Sequence, residues 1–404
     1  MKSPLFYSLP PAGPKISVNE VIRCIHAIQS KNGAGLLDSI KIYLGCEHLF
    51  YLSSGRAALW LALKAFSMSK PDRNEVLIPA YSCPSVVSAV LKSGLIPKLC
   101  DINLNDFGFC YDELIKKLSD KTLAVIVVHL YGAPAEVRKI KDLCNDNKSY
   151  LVEDAAQAFG NCFPETPDIK LGLAGDAGFF SFGRGKPLNI MHGGLLAIQS
   201  PDAYRDANII YNNLSGCARH QIVNYCASLG MYSLFSNPYL YWLPQMVPFL
   251  NLGGTVFEPE FVTSKGLDLA AALAGIMIES IEKEKNVRRD NSKWYAQNLG
   301  GIYTDERQIT GDYPYLRYPL LIQDANKRKR VLGMLSSKGT GATGSYPTPL
   351  NELPGLDKRL MDKSKYKNAK RMSESIITLP VHSRVTAADR DKIKKIMRQA
   401  VNEG

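Results

Sequence analysis

The sequence never spaces its cysteines as C-x-x-C, although it holds nine of them in 404 residues. Cys24, Cys46, Cys83, Cys100, Cys110, Cys144, Cys162, Cys217 and Cys226 are scattered and odd in number. That pattern argues against a disulfide framework or a zinc site and fits a reducing cytoplasm, with most of the thiols as small core residues. No run of about 18 uncharged apolar residues occurs, so no membrane-spanning helix is expected. The opening MKSPLFYSLPPAGPKIS has no apolar run after its lysine that would read as a secretory signal. Repeats and low-complexity tracts are absent. So is any helix-turn-helix, zinc-finger or aromatic RNA-binding signature, which sets nucleic acid aside as a partner.

What remains is ordinary globular material with a basic bias. Hydrophobic residues make up 46% and charged residues 22%, enough for a sizeable core, and the formal net charge is +11. Such a balance attracts anions. Two basic clusters, NKRKR at 326–330 and NVRRD at 286–290, read as solvated helix faces.

From about residue 50 to 200, β-rich runs alternate with amphipathic helical patterns. SGRAALWLALKAF turns into a helix, EVLIPAY is a strand, SVVSAVLKSG a helix, IPKLCDI a strand and YDELIKKLSD a helix. TLAVIVVHLYG follows as a buried strand, AEVRKIKDLCNDN as a helix, and SYLVEDAA, AGFFSF and GGLLAI as further strands. This alternation predicts an α/β fold with a mainly parallel sheet covered by helices on both faces. Residues 203–254 are rich in Tyr, Phe, Leu and Pro without a steady period, as a buried excursion or a subunit contact would be; membrane contact is the sharper alternative. A long helix then begins near KGLDLAAALAGIM, and YLRYPLLI and ANKRKRVLGMLSSKG read as a strand and a helix. The predicted division is a large α/β domain over 15–254 and a smaller C-terminal α+β domain over 255–404.

Three segments of the larger domain carry chemistry. In SSGRAAL (53–59) a glycine turn opens a helix, whose free amides and dipole form an anion site. VEDAAQAFG (152–160) ends a strand with Glu153 and Asp154. A carboxylate there points into the crevice where open α/β sheets bind ligands, or else caps the next helix. GDAGFFSFGRGK (175–186) puts Ser181 on a strand and Lys186 on a glycine-rich loop, so both can reach one pocket.

These blocks, in this order, resemble the DegT/StrS-type sugar aminotransferases, pyridoxal-phosphate enzymes of the fold-type I architecture. SSGRAALWLAL, VLIPAYSCPSVVSAVLKSGLIPKLCDIN, VIVVHLYGAPAEV, EDAAQAFG, the glycine pair after Lys186, and LPVHSRVTAADRDKIKKIM extend the likeness over about residues 17–398. The resemblance implies that Lys186 is the Schiff-base lysine and that Asp154 pairs with the pyridine nitrogen, keeping it protonated. It implies that Gln157 contacts the ring hydroxyl. Ser181 and the helix start at Gly55, with the amides of Arg56 and Ala57, would hold the phosphate.

The sequence also departs from that pattern. Arg56 stands where the family often has Thr, and Cys83 where it places an aromatic residue over the ring, leaving stacking to sulfur, to Tyr81 or to another group. His192 replaces an acidic residue and, with Tyr346, is a candidate for the substrate pocket; His382 matches the Leu-Pro-x-His segment or is structural. No clean match appears to the Asn-x-Arg with which a neighbouring subunit completes the phosphate site.

The resemblance implies amino transfer, with glutamate as donor and a nucleotide-linked keto- or aldehydo-sugar as acceptor, in a homodimer serving surface-polysaccharide or amino-sugar synthesis. Two alternatives stand beside it. One is a pyridoxal-phosphate sugar dehydratase, disfavoured because such enzymes replace the lysine with His. The other is a non-catalytic scaffold in polysaccharide assembly, suggested by Cys83 and the aromatic 232–252 stretch.

Overall fold

The computed structural model describes residues 6–31, 35, 37–217, 219–246, 257–299, 311–357 and 366–402. Its main sheet has seven strands in the order β1-β7-β6-β5-β4-β2-β3. They are β1 (Leu49–Leu52), β2 (Glu75–Pro79), β3 (Ile96–Cys100), β4 (Thr122–Val128), β5 (Tyr150–Asp154), β6 (Ala177–Ser181) and β7 (Gly194–Ile198). Strands β3, β2, β4, β5 and β6 run parallel, while β7 pairs antiparallel with both β6 and β1. The predicted strands are all present.

The sheet is covered on both faces. Every residue of β4 is buried, as a continuous apolar run between two helical layers requires. Period-two alternation sorts the strands: Val76 and Ile78 join the layer under the Gly55–Ser69 helix, and Leu77 the layer under the Val137–Asn147 helix. The Gly55–Ser69 helix is capped by Ser54, whose Oγ accepts from Ala57 N–H at 3.2 Å, and it buries Ala58, Leu59, Ala62 and Phe66.

The long helix predicted from residue 265 arrives in pieces. Asp268–Met277 is followed by a tight turn over Ile278–Ser280 and then by Ile281–Leu299. The predicted division at residue 254/255 lies outside the described residues. Asp268–Met277 shares a core with Phe180 of β6, whereas Tyr295 and Leu299 pack with β8 (Arg317–Leu321) and β9 (Ile376–Pro380). Core membership therefore changes along Ile281–Leu299. Strands β8 and β9 form an antiparallel pair backed by the helices Ala325–Ser337 and Ala387–Asn402.

Between residues 201 and 246 the unpatterned stretch folds into three helices, Pro201–Asn212, Arg219–Phe235 and Trp242–Gln245. Tyr225 and Leu229 are buried while Val223, Met231 and Leu234 are exposed, so apolar residues occupy several sides of one helix and no amphipathic period appears.

Three expectations need correction. The basic clusters are not wholly solvated: Arg288 is 1% exposed and donates to the Pro187 carbonyl at 3.2 Å, and Arg328 donates to the carbonyls of Ile376 and Gly344. A guanidinium in such a run turns inward because its rigid fork can cap several carbonyls at once. The cysteines are less buried than expected, with Cys24, Cys46, Cys100 and Cys144 in the core, four others half-buried and Cys226 exposed. Asp154 caps no helix; its Oδ1 accepts from Ala156 N–H at 3.0 Å in a tight turn.

Candidate active site

The carboxyl ends of the parallel strands open onto a cleft of about 260 Å³ lined by Gly55, Arg56, Cys83, Asp154, Gln157, Ser181, Lys186 and Tyr346, together with Ser54 and Ser85. Seven of the nine residues that sequence assigned to cofactor or substrate, along with Lys186 itself, thus converge in one place. Leu59, Val86, Val128 and Phe179 give it apolar walls.

The anion-binding corner comes from close packing of backbone. A Cβ on Gly194, the first residue of β7, would lie 2.3 Å from the Gly55 nitrogen, and one on Gly55 would lie 3.0 Å from Ser181 Cβ. Only glycine at 194 lets the helix start sit against the end of β7, and at 55 a side chain would crowd Ser181. Ala57 spends its amide on the Ser54 cap and does not line the cleft, which leaves Gly55 and Arg56 as the open amides of the first turn.

Asp154 is 5% exposed, and burial raises its pKa above the usual carboxylate range. The charge of Lys186, the Ala156 amide and His129 act in the opposite sense, in that order. The amine and the carboxylate therefore face the same space. Lys186 sits where β6 turns back to β7, with Gly185 at φ +77° ahead of it. Phe182 pairs with Gly193 and Ile190 with Phe182 across the base of that loop, and Arg288 holds its Pro187 carbonyl from below.

Gln157 is engaged on both sides. Its Oε1 accepts from Tyr131 N–H and its Nε2 donates to the Tyr346 hydroxyl, each at 2.9 Å. Burial first, and then Cys83 and Asp154, drive the Tyr346 pKa well above 10, so the hydroxyl keeps its proton as a donor. Tyr81 does not line the cleft; it donates to the Tyr346 carbonyl at 3.1 Å from beneath. Tyr346 is the aromatic ring that borders Cys83, and the Tyr131 hydroxyl donates to Ser345 Oγ at 2.9 Å. Both of those residues hold positive φ, +58° and +56°, a strained state for non-glycine residues that clusters at functional sites.

Beyond Tyr346 the cleft widens into an outer chamber of about 530 Å³. Pro10–Ala12, Tyr232, Phe235, Tyr241 and the cations Arg184 and Arg317 line it, so the unpatterned stretch supplies much of its wall. Sequence reasoning did not identify Tyr131, Ser345, Arg184 or Arg317; left-handed backbone and contacts made across the fold leave no local pattern. Burial lowers Arg317 to about 10, and its guanidinium donates to the Pro11, Gly341 and Thr378 carbonyls.

Two candidates lie elsewhere. His192 borders neither chamber: its ring packs 5.6 Å from that of Tyr225, and burial lowers its pKa to about 4. His382 is 1% exposed and donates from Nε2 to the Pro10 carbonyl at 2.8 Å, a strut behind the chamber wall.

Residues 17–398 match the DegT/DnrJ/EryC1/StrS aminotransferase family. Among curated proteins, a UDP-N-acetyl-3-dehydro-alpha-D-glucosamine 3-aminotransferase of Acidithiobacillus ferrooxidans is 23% identical over 93% of this chain and 90% of its own length. The GDP-perosamine synthase of Vibrio cholerae is 27% identical, but the match spans 48% of this chain and 54% of that protein. Among solved structures, Helicobacter pylori PseC, an aminotransferase involved in pseudoaminic acid biosynthesis, superposes with a TM-score of 0.78 at 17% identity, covering 98% of this chain and 100% of that one.

Proposed function

The chain belongs to the DegT/DnrJ/EryC1/StrS aminotransferase family, and from that premise we propose that it uses pyridoxal phosphate to move an amino group from glutamate to a nucleotide-linked keto- or aldehydo-sugar. The observation that carries this reading is the joining of Asp154, Lys186, Ser181 and the Gly55 helix start in one cleft. Relatives named for GDP-, UDP- and dTDP-sugar amination support the acceptor class.

The donor set fits the cofactor. Three serines, two open helix amides and a guanidinium suit a phosphate, and a buried acid stands opposite an amine. When bound, pyridoxal phosphate supplies an electron sink for the carbon that gains or loses the amino group. Asp154 would hold a proton on the ring nitrogen; burial raises its pKa, and the neighbouring Lys186 charge acts against that rise. Lys186 Nζ would take a proton from the amino-bearing carbon and return it one atom away, a general acid–base role. The apolar walls keep water from competing for that proton. Tyr346, with its hydroxyl supported by Gln157, would donate to an oxygen of the bound molecule. Arg184 and Arg317 would draw an anionic acceptor into the outer chamber.

We further read the protein as a homodimer, consistent with exposed Val223, Met231 and Tyr239 in the 201–246 stretch, of which Met231 lines the chamber. No helix among the described residues is long and apolar enough to cross a membrane. The scaffold alternative loses ground because the acid and the amine share a cleft. The test is direct: load the protein with pyridoxal phosphate, record the visible spectrum, add glutamate, and follow amine formation on a panel of nucleotide-linked keto sugars. Absence of a cofactor band in wild type would overturn the proposal.

A further inference from the structure

An extended segment, residues 257–266, runs along the rim of the anion-binding corner. Ser53 N–H donates to the Ser264 carbonyl at 3.0 Å, Ser53 Oγ to the Val262 carbonyl at 3.1 Å, and Gly266 N–H to the Tyr51 carbonyl at 3.0 Å. Pinned there, the segment places two acids against cations of two helices, Gly55–Ser69 and Pro84–Lys92. Glu258 Oε2 accepts from Arg56 Nη1 at 2.8 Å, and Glu260 Oε2 from Lys92 Nζ at 2.7 Å. The Phe261 ring lies against both cations, 5.1 Å from the Arg56 guanidinium carbon and 5.2 Å from Lys92 Nζ.

Arg56 also lines the cleft at the open end of the helix, whereas Lys92 does not. The guanidinium nearest the phosphate corner is therefore already engaged by a carboxylate. Glu258 is exposed enough, at 57%, to swing away.

We propose that Glu258 is a resident competitor for the phosphate corner: it occupies the Arg56 guanidinium while no phosphate is bound and yields it to the cofactor's phosphate on loading. This rests on the reading of the cleft as a pyridoxal-phosphate site. The exchange runs toward phosphate for a physical reason. A solvent-exposed pair between single charges is weak and screened. A dianion at a helix start instead gains the open amides and a charge-assisted, bidentate contact with the guanidinium. Because Glu258 must be displaced, it subtracts from cofactor affinity without touching the ring. On this account Arg56 supplies phosphate charge from within the same chain, and the 257–266 segment loosens at Glu258 when the site fills.

The experiment compares wild type, Glu258→Gln, Arg56→Ala, the double variant and Glu260→Gln as apoproteins, titrated with pyridoxal phosphate and, separately, with phosphate-free pyridoxal. Cofactor fluorescence or absorbance gives Kd without recourse to turnover. Glu258→Gln is expected to bind pyridoxal phosphate roughly two- to fivefold more tightly, a gain that shrinks as salt rises. Arg56→Ala should bind roughly tenfold more weakly. In the Arg56→Ala background Glu258→Gln should change nothing, and pyridoxal should not distinguish Glu258→Gln from wild type. Glu260→Gln, which breaks the neighbouring pair away from the cleft, should match wild type. Equal or weaker pyridoxal-phosphate binding by Glu258→Gln, or a gain that persists without Arg56, overturns the proposal. A wild type that binds no pyridoxal phosphate instead overturns the reading of the cleft, which separates the two failures.

Discussion

Glu153 and Asp154 are consecutive in β5 and both buried, yet their carboxylates serve opposite faces of the sheet. Asp154 opens onto the cleft. Glu153 accepts from the amides of Ala174 and Gly175 at 2.6 Å, Gly172 at 2.9 Å and His129 Nε2 at 2.8 Å. Since His129 Nδ1 accepts from Ala135 N–H, the ring proton lies on Nε2 and points at Glu153. One strand thus carries, side by side, an acid tied into the fold and an acid that the proposed function gives a chemical role.

Exchange of each carboxylate for its amide separates the two roles. Glu153→Gln sets an NH2 against N–H donors and should cost about 2–4 kcal/mol in urea unfolding. Asp154→Asn should leave the unfolding midpoint nearly unchanged while lowering turnover by about a hundredfold or more. A reversed pattern would show that the assignment of faces is wrong.

Lys186→Ala should abolish the visible cofactor band and reduce amino transfer by at least about a hundredfold, while the loop's backbone pairs keep the fold intact. Circular dichroism and the cofactor spectrum, taken together, check both halves. A variant that retains the wild-type band would contradict the role given to the amine.

Much of this was legible in the residues. Six of the seven main-sheet strands were legible, the central ones because burial on both faces demands unbroken apolar runs such as Leu123–Val128, whereas the four-residue β1 was not read; Lys186 stood out in a loop too rich in glycine for a helix. The glycine-led start of the Gly55–Ser69 helix also read correctly. What could not be read was set by distance along the chain. Gln157 meets Tyr346 across 189 positions, and Glu258 meets Arg56 across 202. Inward-turned Arg288 and solvated Arg289 look alike in NVRRD, because it is the tertiary neighbour Pro187 that distinguishes them.

Arg288 gives a second stability test. Its Nε lies 3.7 Å from Glu284 Oε1, and both side chains are nearly sealed from water. Arg288→Met removes the cation and leaves a buried carboxylate without its charge partner, at a cost of about 3–5 kcal/mol. Adding Glu284→Leu should recover part of that loss, because no unpaired charge is then buried. If the two losses simply add in urea unfolding, the pair is not coupled.

Acid titration should report His192. Its folded pKa of about 4 lies below the unfolded value of 6.5, with burial as the cause. Between those values the unfolded chain binds a proton that the folded chain refuses, so stability falls as pH drops from 6.5 toward 4 and then levels off. Across the whole window the contribution is on the order of 3 kcal/mol. His192→Gln should flatten this part of the stability profile relative to wild type, since other titrating groups act equally in both proteins. Because the ring borders neither chamber, the variant should keep the wild-type pH profile of kcat. A shifted kcat profile with an unchanged stability profile would return His192 to the substrate site.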